Sequence, residues 1–377
     1  MKNKSAALLP HLQAQMQWMA GSPQTTSSAI NRLLYDFNNS GNVLHTVPGV
    51  LSGITEKSTA QQESTICDPE TGKWILFFNG NDIYDGLKNK VNENEIETVD
   101  HTALTSLIAP SLSRKNENGY NIFYIEKSTH ALNYAIVTFP NGLKNEAHWV
   151  GIQSLSVSTI AAPISIACVN ENEYWILTLA NPATLVAYKC DTSGENIIAP
   201  VHIPLQPFSS MINDSIDLLK SSIVVNKDKI AITINGTIMY GNIDVSTKFT
   251  ITSQKLLDHN TETLMPAFNA TNDKLYYLKS LDSNSRNHVW VCDLDTTAFY
   301  SANTTTHYNN SYVTLKLAPS GTIYGTNLFI SIDPILVIQE DLETGFVEIS
   351  ETLSENQYSS RTFGNIQYQI NTLKNIG

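Results

Sequence analysis

An all-β fold follows from three features of the chain. A turn cluster rich in Asn, Asp, Gly and Pro is followed at once by a short apolar, aromatic-rich run six times, at intervals of about 45 to 55 residues. A second turn, marked by aspartate, recurs later within the repeat. An isolated copy of that later half stands near the amino terminus, and a strand-like segment without a sequence neighbour stands near the carboxyl terminus. Tight turns need residues that tolerate positive φ or bend the backbone with their own side chains, and strands need β-branched or aromatic bulk, so each repeat reads as a hairpin. Hairpins repeated at this spacing predict a β-propeller of four-stranded antiparallel blades.

The first turns lie at 68–73 before the run opened by Trp74, 116–119 before Tyr120, and 170–173 before Tyr174. Three more lie at 226–229 before Ile230, 269–274 before Leu275, and 319–321 before Thr322. The second turns open at Asp191, Asp244, Asp295 and Asp341, each closing an apolar run, and their carboxylates are expected to accept backbone N–H groups across the turn. The isolated later half covers 33–47. Pairing it with the strand-like segment 362–370 would complete a seventh blade from both chain ends, which closes the ring and protects sheet edges. Seven blades is the expected count, with six as the alternative. Residues 206–220 break the pattern and read as a helical turn or an extended connection.

The chain has 377 residues, 42% of them hydrophobic, enough for a large core; the continuous repeat argues for one closed domain over 31–377 after a tail over 1–30. In that tail Leu8, Leu9, Leu12, Met16 and Met19 share one helical face, so residues 6–20 read either as an amphipathic docking helix or as a partly disordered lead-in. Pro10, His11, Gln13, Gln15 and Gln17 interrupt any secretory apolar core, and no run has membrane-spanning length, so neither export by a signal peptide nor membrane insertion is expected. Net charge is -12, which repels nucleic-acid phosphates, and the four arginines (Arg32, Arg114, Arg286, Arg361) offer few fork-shaped anion donors. No nucleic-acid partner is expected.

Cys67, Cys168, Cys190 and Cys292 form no Cys-x-x-Cys pair, which argues against structural zinc; at matching places in the repeat they read as buried strand thiols. The nine histidines make no His-Glu-x-x-His pair. Phosphate-binding glycine loops and Gly-x-Ser-x-Gly are likewise missing, so no cofactor, metal or catalytic residue is assigned. Asp82, Asp85, Glu126, Asp217 and Asp282 are the acids able to converge from separate blades for glycosidic hydrolysis, against a reading as solvated or turn-bound loop acids. Trp74, Trp149, Trp175 and Trp290 sit within predicted strands and read as packing between blades. Trp18, Phe299, Tyr300, His307, Tyr308 and Tyr312 lie in the tail or in a long polar loop over 298–312. With Leu8, Leu12 and Met16 they form the candidate contact surface.

In order and spacing, these motifs resemble the propeller-like domains found upstream of gliding-motility-associated carboxy-terminal domains in large Bacteroidetes surface proteins. The matching stretches are LYDF over 34–37, GKWILFFNG over 72–80 with Ile83 and Tyr84, YNIFYI over 120–125, LNYAIV over 132–137 with Asn141 and Gly142, YWILT over 174–178, NKDK over 226–229, and LAPSGTIY over 317–324. The resemblance spans roughly residues 30 to 370, implies a propeller fold and supplies no catalytic residue. Members of that family carry a signal peptide and a sorting domain, and this sequence shows neither, so a place in an extracellular particle such as a phage tail or contractile injection apparatus, or in the cytoplasm, is the expectation. The function expected from the sequence is therefore a non-catalytic interaction, adaptor or attachment protein docking to other proteins of a larger assembly. The alternative is a carbohydrate-binding or glycan-cleaving propeller at a cell surface.

Overall fold

The computed structural model describes residues 17–20, 33–37, 43–45, 64–67, 74–99, 105–155, 161–170, 173–181, 183–191, 200–209, 221–258, 261, 263, 265–280, 287–301, 312–317, 321–327, 335–340, 347–352 and 365–366. They form seven sheets. The first holds β1 (Gln17–Ala20), β2 (Leu33–Phe37) and β3 (Val43–His45). The second holds β4 (Ser64–Cys67), β5 (Trp74–Phe78) and β6 (Ile83–Asp85). Four antiparallel meanders follow in chain order: β7 (Ser106–Pro110), β8 (Tyr120–Ile125), β9 (Leu132–Thr138), β10 (His148–Ser154); then β11 (Ala161–Asn170), β12 (Glu173–Ala180), β13 (Thr184–Asp191), β14 (Val201–Pro204); then β15 (Ser221–Asn226), β16 (Lys229–Ile234), β17 (Thr237–Asp244), β18 (Thr250–Asp258); then β19 (Ala267–Phe268), β20 (Lys274–Ser280), β21 (Asn287–Asp293), β22 (Phe299–Ser301). The last meander is β23 (Tyr312–Leu317), β24 (Ile323–Asn327), β25 (Ile335–Glu340) and β26 (Val347–Thr352), and β27 (Asn365–Ile366) joins the second sheet as its fourth strand. All six expected first turns lie between the first two strands of a sheet.

Strand alternation sends successive side chains to opposite faces, so a strand between two neighbouring sheets must be apolar on both. In β12, Tyr174 and Ile176 pack toward β7–β9, whereas Trp175, Leu177 and Leu179 pack toward β15–β17. The same two-sided packing joins β5–β6 to β8–β9, β16–β17 to β20–β21, and β20–β21 to β23–β25. From the second sheet to the last, consecutive sheets therefore stack face to face. Directed bonds fix the stack: the Tyr174 hydroxyl donates to Pro110 O at 2.9 Å, and Trp175 Nε1 donates to Val245 O at 3.3 Å while its ring meets Phe249 edge-on. Trp149 and Trp290 are half-buried against their clusters, as their packing role predicts; the Trp74 side chain lies outside the described residues.

Several expectations need correction. Gln17–Ala20 is a strand, because Trp18 pairs with Tyr35 and Met19 with Leu34; the helical reading of 6–20 fails there, and Leu8, Leu12 and Met16 lie outside the described residues. The edge of β2 is thus taken by β1. The carboxy-terminal strand pairs in parallel with Ser64 and Thr65 of β4, so the predicted partnership of 362–370 with 33–47 is not the one observed. Of 206–220, Gln206–Ser209 forms a single helical turn, α1. Phe299 and Tyr300 lie in β22 and Tyr312 opens β23, which shortens the expected 298–312 loop; His307 and Tyr308 lie outside the described residues. Cys190 and Cys292 are buried; Cys168 has solvent-exposed surface, yet the protein packed around it pushes its thiol up to about 12, so the buried-thiol reading holds there only in part, and the Cys67 side chain lies outside the described residues. Among the described residues no helix is long and apolar enough to cross a membrane.

Candidate functional site

In an antiparallel meander, the first-to-second and third-to-fourth connections lie at one end of the sheet. The second-to-third connection and the exit of the fourth strand lie at the other. The two ends differ in chemistry.

At the turn end, polar side chains are spent on backbone. Asp244 Oδ1 accepts the Ser246 N–H at 2.9 Å and the Ser246 hydroxyl at 2.7 Å, and the Ser246 amide holds the Asp244 carboxyl below its ordinary range. In the next sheet Asp293, two positions before the predicted Asp295, accepts the N–H groups of Asp295 and Thr296 at 3.1 and 2.8 Å, and its carboxyl is lowered chiefly by the Thr296 amide. Asn269 is the hub of the β19–β20 turn. Its Oδ1 accepts the N–H groups of Asp273 and Lys274, and its two amide hydrogens serve Thr271 Oγ1, Asp273 Oδ1 and Glu340 Oε2 at 2.8, 2.6 and 2.9 Å. Asn226 Nδ2 reaches Asn269 O, Asn272 Nδ2 reaches Asn226 O and Asp228 Oδ1, and Lys274 pairs with Glu340. This belt ties three sheets together.

At the exit end, one acid meets a lysine and a tyrosine instead. Asp258, the last residue of β18, places Oδ1 2.7 Å from Lys279 Nζ and accepts the Tyr277 hydroxyl on Oδ2 at 3.0 Å. Tyr277 and Lys279 are two apart on β20 and so share one face, and Trp290 sits opposite Tyr277 on β21 with its ring 5.9 Å from the Lys279 ammonium. The register of β17 with β18 shifts between Met239 and Ile238. That irregularity lets Leu257 enter the apolar cluster around Tyr277 while the next residue, Asp258, bonds the same tyrosine. Burial, and then the Asp258 charge, push the Tyr277 phenol far up, so it stays a donor. Side-chain exposure is 16% for Asp258 and 32% for Lys279: the pair is reachable, while the Tyr277 ring is sealed.

The acids predicted from sequence fare differently. Asp82 repeats the arrangement, with Lys90 Nζ 2.7 Å from Oδ1 and the Tyr84 hydroxyl 3.5 Å from Oδ2, but its side chain is only 3% exposed beneath the 86–99 loop. Asp85 is saturated by the N–H groups of Leu87, Asn89 and Ala147. Glu126 accepts Thr129 Oγ1 at 2.6 Å and Asn133 Nδ2 at 3.3 Å within its own turn, and Asp217 and Asp282 lie outside the described residues. Asp258 was not among the predicted acids. Its sequence signal is the pair Tyr277 and Lys279, a polar stripe at period two closing an otherwise apolar strand. Among the described residues, no cluster of three or more His, Cys, Asp or Glu is able to hold a metal ion.

Comparison with solved structures finds similar folds, a β-propeller domain among them. No family model matches the chain, and no curated protein matches it. A protein of Bacteroides uniformis, provisionally named a 6-phosphogluconolactonase, is similar in structure at 10% identity with a TM-score of 0.49, over 93% of this chain and 99% of that one. A Bacteroides fragilis protein of the same provisional name gives 10% identity and a TM-score of 0.44 over 90% and 96%. The β-propeller domain of the trilobed protease from Pyrococcus furiosus gives 10% and 0.38 over 90% and 84%. The likeness is one of fold. None of these three links the chain to the gliding-motility surface proteins whose motifs it resembles, nor to a particle or adhesion role. The expectation of a non-catalytic protein is at odds with two of these structures, which carry enzyme names.

Proposed function

We propose that the chain is a β-propeller hydrolase acting on an ester or lactone of a small hydroxylated molecule at the exit end of its sheets. The observation that carries this reading is Asp258 held between Lys279 and Tyr277 at a partly open position. Hydrolysis of an ester needs a base for water and a donor for the carbonyl oxygen, and the cluster supplies both. The Asp258 carboxylate accepts a proton from water as the water oxygen attacks the carbonyl carbon. The Lys279 ammonium faces the oxygen on which negative charge develops. When the acyl C–O bond breaks, the proton passes from Asp258 to the departing alkoxide, leaving a hydroxy acid. Tyr277 orients the carboxylate through its hydrogen bond and does not touch substrate.

The reading includes the architecture. We propose that the seven sheets are the blades of one closed ring that begins at β1, supported by face-to-face packing of successive sheets and by the approach of β4 to β7, β7 to β11, β11 to β15 and β19 to β23. In such a ring the exit ends of neighbouring blades gather on one face, where propeller ligands have room.

The test is a panel of sugar lactones, phosphorylated and not, with simple aryl esters as controls. The proposal expects hydrolysis above the uncatalysed rate and a loss of about 100-fold or more in Asp258→Asn at unchanged folding. Absence of acceleration across the whole panel by the wild-type chain would sink it.

A further inference from the structure

We infer that Thr263 is a positioning residue for Asp258, locking the connector that follows this acid onto the strand that carries its partners. The inference rests on Asp258 as the base proposed above.

The geometry begins with a short strand. On the β19 side, β20 is paired only at Leu275 and Tyr276, opposite Phe268 and Ala267. The next hydrogen-bonding position of the ladder, Leu278, would face Met265, but Met265 has turned to the following sheet, where its carbonyl accepts the Leu315 N–H at 2.8 Å. Leu278 would be left with an unmet N–H and C=O in a fully buried place. Thr263 meets both with one oxygen: its hydroxyl donates to Leu278 O at 2.7 Å and accepts from Leu278 N at 2.6 Å.

Leu278 lies between Tyr277 and Lys279, the two residues that hold Asp258. The bond therefore fixes the connector to the middle of the acid's partner set. The same connector is tied on its other side. Thr261 N–H and its hydroxyl both donate to Gly236 O, at 2.7 and 3.0 Å, in the Asn235–Gly236 turn of the preceding sheet. Gly236 has φ of +73°, and a Cβ there would come within 2.8 Å of Thr261 O. Asp258 thus leaves one sheet and meets the next through a connector anchored to both. Side-chain bonds that hold a charged group within a fraction of an ångström of its working position are worth far more to rate than to binding.

The test compares Thr263→Val, which keeps the volume and removes the hydroxyl, with Thr263→Ser, which restores it. Three readouts are taken: kcat and KM on the best ester or lactone, the pH profile of kcat/KM, and the Asp258 side-chain carboxyl resonance in ¹³C-aspartate-labelled protein, assigned by its loss in Asp258→Asn. The expectation is a drop in kcat of roughly tenfold or more with KM within about twofold, a displaced pH profile and a shifted Asp258 resonance in Thr263→Val, all recovered in Thr263→Ser. A Thr263→Val protein that is merely less stable, with kcat, pH profile and carboxyl resonance unchanged, overturns the inference. If Thr263→Val does not fold, Thr261→Val takes its place: a smaller shift of the same resonance supports the connector's role, and an unmoved resonance overturns it. The resonance is read without substrate, so an active Asp258→Asn protein would refute the hydrolase reading while Thr263 still stood or fell on its own signal.

Discussion

The two ends of the sheets use the same residue types for different purposes. At the turn end, Asp244, Asp293 and Asn269 each accept neighbouring backbone N–H groups, and such bonds close a turn at little cost because both partners belong to one short loop. At the exit end, Asp258 and Asp82 take their partners from lysine and tyrosine side chains, which in the case of Asp258 come from another sheet. An acid that closes its own turn through one carboxylate oxygen gives up those bonds if it moves to meet a ligand. An acid held by an ammonium and a phenol remains able to exchange a partner for water or ligand.

The contrast is sharpest when one residue from each end is removed. Asp258→Asn should lower kcat/KM by about 100-fold or more, roughly 2.7 kcal/mol of transition-state stabilisation, and Asn269→Ala should leave it within about twofold. Steady-state kinetics on the two purified variants measures this directly. Equal losses would erase the distinction between the ends.

Stability should respond in the opposite sense. Asn269 is buried and serves three sheets, so Asn269→Ala leaves backbone N–H groups and Glu340 short of partners and should cost about 2–3 kcal/mol in urea unfolding, against less than about 1 kcal/mol for Asp258→Asn. Gly236→Ala should cost about 1–2 kcal/mol, because its positive φ strains any residue with a Cβ and the added carbon meets the Thr261 backbone. Its activity loss should exceed that of Asn269→Ala, since the connector to Asp258 must shift.

The smallest effect is one of pH. Asp244, Asp273 and Asp293 have folded-state values below the ordinary 3.8. For Asp273, burial acts to raise the value, and the bonds from Thr271 and Asn269 outweigh it. The unfolded chain therefore binds more protons than the folded one in acid. Stability from these groups is present above the unfolded value and is lost as pH falls through the folded values. Urea midpoints should stay level down to about pH 4 and then decline, with a shallower decline in Asp273→Asn.

Much of this was legible from residue order. The hairpin turns were visible because Asn, Asp and Gly are required wherever the backbone bends sharply, and all six fell between first and second strands. Trp175 was legible as packing between blades, and it packs toward the next sheet. What stayed hidden depended on distance along the chain. The pairing of β1 with β2 and of β27 with β4 joins segments that carry no mutual signal, since a strand of two to four residues can pair with any exposed edge. Asp258 was hidden for a related reason. A register shift in β18 aims it, and its partners Tyr277 and Lys279 lie some twenty residues on in another sheet. Asp295 was taken for Asp293 because either aspartate suits a turn, and only the N–H directions distinguish them.

A crystal structure of the Asp258→Asn protein soaked with a slowly hydrolysed sugar lactone tests the central claim most directly. The account predicts ligand at the exit end, with its carbonyl oxygen within hydrogen-bond reach of Lys279 Nζ and a water or ring oxygen beside residue 258. Ligand bound instead at the turn end, among Asn226, Asn269 and Glu340, with the exit end unchanged, would contradict it.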